Sequence, residues 1–284
     1  MAAGGADAPL LGPGLGPGAA LAVLRWIIFD VGNVLMNDDP TMALLYRELH
    51  RAMCSAGYRI PFRQLLEERE ALIRSRGPEH WQVLGRKYLG EEGHWRLMHR
   101  CARKIRADYM GCHELLPGVL EAVRSLSRRY RIAVVANQLR EVIDALQSVG
   151  LGPHISLHAI SEVVGLRKPD PDLYLWALER ADCAPGEAVM IGDRVDNDIR
   201  PARTVGMWTI LYQLPHEKKG YTPKGEMEQL YFESQLRESI CRIGPRSPEE
   251  TPDETAGDLE GLLAAIERID RRAAGASESA PHGR

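Results

Sequence analysis

Five short apolar runs, separated by stretches with helical periodicity, constrain the fold of this chain more than any other feature of its sequence. The runs are continuously apolar and rich in β-branched residues, which is typical of strands buried on both faces. Helical patterns between such strands favour a parallel sheet covered by helices on each side. The predicted fold class is therefore α/β, a doubly wound parallel sheet. The runs are WIIFDV (26–31), RIAVVAN (131–137), LHAISEVV (157–164), AVMIGD (188–193) and MWTILYQ (207–213), and the predicted helices cover 117–129, 139–149, 170–182, 197–205 and 257–271.

Two segments interrupt this alternation. Residues 38–112 contain several amphipathic stretches and no convincing strand, so we expect a small helical cap domain inserted after the first strand. Residues 214–256 form a second insertion with one helix near 225–242 and a polar, Pro-rich end. The α/β core then comprises residues 25–37 and 113–284.

The first 24 residues are rich in Gly, Ala and Pro and contain no basic residue, whereas a secretory signal begins with a positively charged region. We expect a disordered tail over residues 1–24. Its GPGLGPG stretch follows no strand and precedes no GK[ST], so it does not predict a phosphate-binding loop.

Composition excludes several classes of protein. A chain of 284 residues with 44% apolar residues can bury a sizeable core. The 36 basic and 39 acidic residues nearly balance at a net charge of −3, which provides no global field for nucleic acid or for a membrane surface. The five cysteines are odd in number and lack CxxC spacing, which favours reduced thiols in a cytoplasmic protein. We expect no nucleic-acid or membrane partner, and a monomer or homodimer.

Polar residues follow the predicted strands, at the edge where ligands bind in open α/β sheets. Asp30, Asn137 and Asp193 each end an apolar run, Asp198 follows shortly, and Lys168 precedes a helix. This topology predicts that the three acids and Lys168 meet at one rim. Carboxylates crowded in this way repel each other unless a cation neutralises them, and oxygen ligands beside a phosphate suit Mg²⁺.

These stretches resemble the motifs of the haloacid dehalogenase superfamily of hydrolases, most of which are Mg²⁺-dependent phosphatases that act through an aspartyl-phosphate. The resemblance runs from about residue 26 to 210 and again over the last helix. It includes the position of the helical cap and implies a Rossmann-like core.

The resemblance also implies roles for individual residues. Asp30 would be the nucleophile, and Asp30, Asp193 and the carbonyl oxygen of Gly32 would bind Mg²⁺, with Asp198 supporting the metal and the lysine. Lys168 would hold the phosphate and the nucleophile together, and Asn137 would contribute to substrate binding.

Two positions depart from the pattern of these phosphatases. Gly32 stands where a second aspartate usually acts as general acid and base, a role worth about 10²–10⁴-fold. Asp38 or Asp39 could reach inward, although we do not predict that either does, so we expect a slow enzyme or one limited to good leaving groups. Ala136 replaces the Thr or Ser whose hydroxyl commonly binds phosphate.

The leading interpretation is an Mg²⁺-dependent phosphoric monoester hydrolase for a small phosphorylated metabolite. A non-catalytic binding or regulatory protein is the alternative, which Gly32 and Ala136 favour. A haloacid dehalogenase is a lesser alternative, since such enzymes need no metal and leave Asp193 and Asp198 unexplained.

Charged and aromatic residues of the cap predict no site by their spacing. We expect the histidines and tryptophans (His80, His94, His99, Trp81 and Trp95) to be ordinary helix-face residues. The basic residues Arg63, Arg69, Arg74, Arg86 and Lys87 could help to select an anionic substrate, but the first of them interleave with glutamates. A solvated charged face is the favoured interpretation.

Overall fold

The structure, a computed structural model, describes residues 24–76 and 79–278. The strands in these ranges are β1 (Trp26–Phe29), β2 (Met36–Asn37), β3 (Glu114–Leu115), β4 (Arg131–Ala136), β5 (Leu157–Ile160), β6 (Ala188–Gly192), β7 (Trp208–Tyr212) and β8 (Glu254–Ala256). The α-helices are α1 (Asp39–Ser55), α2 (Phe62–Arg76), α3 (His80–Ala107), α4 (Tyr109–Cys112), α5 (Val119–Leu126), α6 (Glu141–Ser148), α7 (Ser161–Val164), α8 (Asp172–Ala181), α9 (Arg200–Thr204), α10 (Glu226–Arg237) and α11 (Leu259–Glu278).

Six strands form one sheet in the order β5-β4-β1-β6-β7-β8, and every neighbouring pair is parallel. Side chains of β1 alternate between its two faces, as the pleat requires. Ile27 and Phe29 pack in a core with residues of α5, α6 and α11, whereas Trp26 and Ile28 pack with residues of α8. The predicted doubly wound α/β fold is confirmed.

The structure differs from the predicted elements at three places. The run predicted as a strand over 157–164 leaves the sheet after Ile160 and continues as the short helix α7. The predicted helix 197–205 begins as a π-helical turn, Val195–Ile199, before α9. Residues Glu254–Ala256, which we assigned to the second insertion, form the edge strand β8.

The predicted tail 1–24 lies outside the described residues except for Leu24. That side chain is 1% exposed and belongs to the core on the α5, α6 and α11 face. Leu24 therefore belongs to the core and not to the disordered tail in which we placed it.

Four helices, α1–α4, follow the first strand of the core, and we call them the cap helices. They lie between β2 and β3, which pair antiparallel with Met36 opposite Leu115. The chain therefore leaves the core and returns to it at one point. Two of the amphipathic stretches within 38–112 join as α3, which is interrupted at Gly90, where φ is 67°.

Residues 213–253, between β7 and β8, are called the bridging segment. They contain α10, where one helix was expected. This helix contacts α1 and α2, and Tyr231 is buried in the same apolar cluster as Tyr46 of α1 and Leu65 of α2. The bridging segment thus leaves the sheet and packs on the cap helices.

Candidate active site

The acids and the lysine singled out in the sequence lie together at the carboxyl ends of the strands. Lys168 Nζ donates to Asp30 Oδ1 and to Asp198 Oδ1, each at 2.6 Å. Carboxylate oxygens of Asp30, Asp193 and Asp198 all lie within 4.8 Å of one another. The sheet register explains the arrangement, because β1 pairs with β6 and the backbone N–H of Asp30 donates to the Ile191 carbonyl oxygen at 2.8 Å.

The charges of this cluster do not balance. Burial raises the pKa of Asp198 to about 6, although the charge of Lys168 opposes this shift. Burial, and then the charge of a neighbouring aspartate, also raise the pKa values of Asp30 and Asp193. Burial alone would lower the pKa of Lys168, but the charges of Asp198 and Asp30 outweigh it and hold that pKa above its usual range.

Among the described residues, Lys168 is the cation in direct contact with two of these carboxylates, while Arg194 and Lys219 act on Asp193 from a greater distance, and the raised pKa values show that burial and mutual repulsion still dominate. Oxygen ligands of this kind, gathered at a cavity, fit a small divalent cation such as Mg²⁺. The donor set therefore suits the metal that the sequence predicts.

Asn137 holds the backbone of Lys168. Its Nδ2 donates to the Lys168 carbonyl oxygen at 2.8 Å, and its Oδ1 accepts from the Lys168 N–H at 2.9 Å. Asn137 also lines the cavity. Its amide therefore uses one donor and its acceptor to position the lysine, which leaves one N–H for a ligand.

Asp38 occupies the space over Gly32. A Cβ built on Gly32 would fall 2.3 Å from Asp38 Oδ2, so the carboxyl of Asp38 lies where a side chain at position 32 would begin. Burial, followed by the charge of Asp193, raises the pKa of Asp38 to about 7. Its Oδ1 lies 3.5 Å from His113 Nε2 and has no hydrogen-bond partner among the described residues. We did not predict that Asp38 would reach inward, and that expectation is wrong.

Asn33 connects the acid cluster to the bridging segment. Its φ of 56° is in the left-handed region that asparagine tolerates. Its Nδ2 donates to Asp193 Oδ2 at 3.2 Å, and its Oδ1 accepts from Lys219 Nζ at 2.7 Å. The thiol of Cys241 donates to the same Asp193 oxygen at 2.9 Å.

The bridging segment also buries a polar network around Asp39. His216 Nδ1 lies 2.9 Å from Asp39 Oδ2, and Lys219 Nζ lies 3.7 Å from it. Burial alone would raise the pKa of Asp39, but the His216 hydrogen bond and the Lys219 charge outweigh it and lower that pKa. Sequence reasoning missed His216 and Lys219, because nothing in the spacing of positions 213–253 relates them to the motifs.

A cavity of about 230 Å³ lies between the acid cluster and the cap helices. Asp30, Gly32, Asp38 and Lys168 form its floor, and Asp193 also lines it. A more open cavity of about 580 Å³ adjoins it and shares several of its residues, namely Asp38, Leu45, Trp81, Asn137 and Gln138. The two cavities therefore share part of their walls.

The expectations for three residues of the cap are wrong. His80 and Trp81, which we expected on ordinary helix faces, are 5% and 7% exposed and line the smaller cavity. Arg69, which we expected on a solvated charged face, is 0% exposed and lines the same cavity. The glutamates that interleave with the arginines misled the sequence interpretation, because Glu70 pairs with Arg237 of the bridging segment instead.

A family model described as haloacid dehalogenase-like hydrolase matches residues 24–206, which is more than half of the chain. Together with the sheet order and the acid cluster, this match defines the class. The chain belongs to the haloacid dehalogenase-like hydrolase family.

Two relatives named as phosphatases are each less than 30% identical to this chain. The chain is 27% identical over 196 residues to glyceraldehyde 3-phosphate phosphatase of Methanopyrus kandleri, an alignment that covers 66% of this chain and 83% of the relative. It is 24% identical over 278 residues to phosphoserine phosphatase of Thermus thermophilus, which covers 85% and 99%.

Solved structures show the same fold at low identity. A haloacid dehalogenase-like family hydrolase of Streptococcus pneumoniae superposes with a TM-score of 0.57 at 15% identity, covering 87% of this chain and 100% of that chain. A phosphatase of Thermococcus onnurineus superposes with a TM-score of 0.51 at 19% identity, covering 85% and 97%. No helix among the described residues combines the length and the apolar character that crossing a membrane requires.

Proposed function

We propose that this protein is an Mg²⁺-dependent phosphoric monoester hydrolase that acts on a small phosphorylated metabolite through an aspartyl-phosphate. The observation that carries the proposal is the contact of Lys168 Nζ with both Asp30 and Asp198, at 2.6 Å each, beside Asp193. One ammonium group at the junction of a nucleophile and a carboxylate cluster is suited to hold a phosphoryl group for attack.

Asp30, Asp193 and the carbonyl oxygen of Gly32 would hold Mg²⁺, with Asp198 supporting it. The ion would offset the repulsion between the phosphate and the attacking carboxylate. The excess negative charge of the cluster supports this assignment.

Asp30 would attack phosphorus with a carboxylate oxygen, forming an acyl phosphate and releasing the alcohol. Water would then cleave that acyl phosphate and regenerate the carboxylate. Lys168 would hold the phosphoryl group against Asp30, and Asn137 would keep the lysine in place through its backbone.

The proton for the departing alcohol needs a donor, and Gly32 offers no side chain. We assign this role to Asp38, because its carboxyl fills the space over Gly32 at the floor of the cavity. The same carboxyl would accept a proton from water in the second step.

The size of the cavity supports a small substrate, since about 230 Å³ is below the roughly 300–1,000 Å³ typical of sites for drug-sized ligands. The names of the relatives, glyceraldehyde 3-phosphate phosphatase and phosphoserine phosphatase, point in the same direction.

The test is hydrolysis of p-nitrophenyl phosphate. We expect turnover that requires Mg²⁺, stops in EDTA and is lost in Asp30→Asn, because the amide preserves the shape of the side chain and removes the nucleophile. Asp144→Asn, the same change on an exposed residue of α6, is the matched control and should be fully active. Turnover in EDTA, or an active Asp30→Asn, would refute the mechanism.

A further inference from the structure

Arg69 of α2 is the most deeply buried charged residue outside the acid cluster that lines the cavity. Its side chain is 0% exposed. Removing a guanidinium from water is costly unless an anion compensates the charge. The surroundings of Arg69 therefore decide whether that cost is offset within the protein.

The hydrogen-bond partners of Arg69 are all neutral. Its terminal nitrogens donate to Ser234 Oγ at 2.9 Å, to the Glu238 carbonyl oxygen at 3.0 Å and to Gln235 Oε1. The rings of Tyr46 and Tyr231 lie 5.9 and 5.3 Å from the guanidinium carbon, which adds weak cation–π contacts. None of the described carboxylates forms an ion pair with Arg69.

The nearest acidic residues already have cationic partners. Glu70, the next residue in α2, pairs with Arg237 at 2.9 Å. Asp39, which accepts a hydrogen bond from Gln235, is paired with His216 and Lys219. Among the described residues, Arg69 therefore has no carboxylate in ion-pair contact, and its charge acts on Glu70 only from a distance.

Unused donors line the same cavity. Arg69 Nε and Trp81 Nε1 have no hydrogen-bond partner among the described residues, and Trp81 is 7% exposed. His80 of the same cavity wall is held neutral, since burial, followed by the positive charges of Arg69 and Arg194, lowers its pKa to about 3. Arg69, Trp81 and the neutral His80 therefore line the same cavity as Asp30 and Lys168, and Arg69 is the one charged group of these three cap residues.

We propose that Arg69, with the indole N–H of Trp81, binds a carboxylate on the alcohol portion of the substrate, so that the preferred substrates are small phosphate monoesters of hydroxy acids. This inference rests on the proposed function and names the substrate class of the same site. A carboxylate supplies the negative charge that Arg69 lacks. It is also smaller than a second phosphate group, which suits a cavity of about 230 Å³.

The experiment compares 3-phosphoglycerate with glycerol 3-phosphate, two esters of the same length that differ in a carboxylate against a hydroxymethyl group. Affinities are measured by titration calorimetry with Mg²⁺ on the Asp30→Asn protein, so that neither ester is consumed. We expect 3-phosphoglycerate to bind roughly 30-fold tighter or more, because losing one partner of a buried charge pair has at least that effect.

Adding Arg69→Gln should bring the two affinities within about threefold of each other. Arg74→Gln, in the same helix, is the matched control, because Arg74 is exposed and already pairs with Glu238 at 2.9 Å. It should leave the preference intact. The ratio of two affinities does not depend on a uniform loss of folded protein, so a purely structural role of Arg69 would not change it.

Should Arg69→Gln fail to fold, Trp81→Phe tests the same site by removing one N–H donor, and it should reduce the preference about tenfold. Equal affinities for the two esters in the Asp30→Asn protein, or a preference unchanged in Arg69→Gln or in Trp81→Phe, would overturn the inference. If the protein hydrolyses p-nitrophenyl phosphate but does not prefer 3-phosphoglycerate over glycerol 3-phosphate, this inference alone is refuted. If the protein hydrolyses no phosphate ester at all, the proposed function is refuted.

Discussion

Asp38 Oδ2 lies 2.3 Å from the point where Gly32 would carry a Cβ, so the two positions share one space. A carboxyl that begins six residues later in the chain thus reaches the place of a side chain at position 32. The absence of a side chain at Gly32 is what leaves room for Asp38 at the floor of the cavity.

Removing this carboxyl should affect difficult leaving groups most. We expect Asp38→Asn to lower kcat for an alkyl phosphate by about 10²-fold or more, and for p-nitrophenyl phosphate much less, because nitrophenolate departs without a proton. Steady-state kinetics on the two esters measure the ratio. A ratio that stays the same in Asp38→Asn would show that another group donates the proton.

Mg²⁺ should stabilise the folded protein, because the acid cluster is repulsive without it. A ligand bound only by the native state at a hundredfold excess over Kd contributes about 2.7 kcal/mol, so Tm should rise. Asp193→Ala should abolish the rise, and Asp144→Ala should keep it. A Tm that ignores Mg²⁺ in the unaltered protein would contradict the metal assignment.

Beryllium fluoride separates a phosphatase from a non-catalytic metal-binding protein, because it mimics a phosphoryl group on a carboxylate. We expect a further rise in Tm only when Mg²⁺, Asp30 and Lys168 are all present. A protein that responds to Mg²⁺, ignores the fluoride and hydrolyses no ester would be the binding protein instead.

Asn137 should affect the rate of hydrolysis because its side chain holds the backbone of Lys168 in place. Asn137→Ala removes two hydrogen bonds to the Lys168 backbone, each worth about 0.5–1.5 kcal/mol, so we expect kcat/KM to fall about tenfold or more. Asn137→Asp keeps the acceptor and turns the donor into a carboxylate facing a carbonyl oxygen, and it should be no better. Full activity in Asn137→Ala would mean that the lysine is held by its ion pairs alone.

His113 should make the fold sensitive to acid. Burial lowers its pKa to about 4, against about 6.5 in an unfolded chain, so the unfolded state binds the proton more readily. His113 therefore leaves the free energy of unfolding unchanged well above pH 6.5, lowers it progressively as the pH falls from there, and has its full destabilising effect below pH 4. At pH 5 the loss is about 2 kcal/mol. Asp38, 3.5 Å away, acts in the opposite direction, because its pKa of about 7 lies above the unfolded value of 3.8 and its protonation stabilises the folded state as the pH falls toward 5.

Urea unfolding at pH 7.5 and pH 5 measures this loss. His113→Gln should shift the free energy of unfolding at pH 5, relative to that at pH 7.5, by about 2 kcal/mol in the stabilising direction, and His99→Gln, on an exposed helix face, should not shift it. An unchanged difference in His113→Gln would assign the acid sensitivity to other groups.

The sheet and the acid cluster could be predicted because both follow from short-range patterns. Asp30 and Asp193 each end a buried run, and parallel strands bring such ends to one edge. The end of β5 could not be predicted from the sequence, because the apolar stretch SEVV is compatible with a strand, whereas in the structure it forms the helix α7. Asp38 was missed because its direction depends on the turn from Gly32 to Met36, which periodicity does not encode. Arg69 was missed for a different reason: its burial depends on α10, some 160 positions later.

The bridging segment limits how the cap helices can move. A cap joined to the core only through two strands such as β2 and β3 can rotate as a rigid body about that connection. Here α10 lies against α1 and α2. The buried contacts of Asp39 with His216 and of Arg69 with Ser234 join the cap helices to the bridging segment at a second place. A wide swing of the cap helices away from the core would have to break those contacts. A substrate too large for the cavity of about 230 Å³ would therefore have to supply enough binding free energy to break these buried contacts.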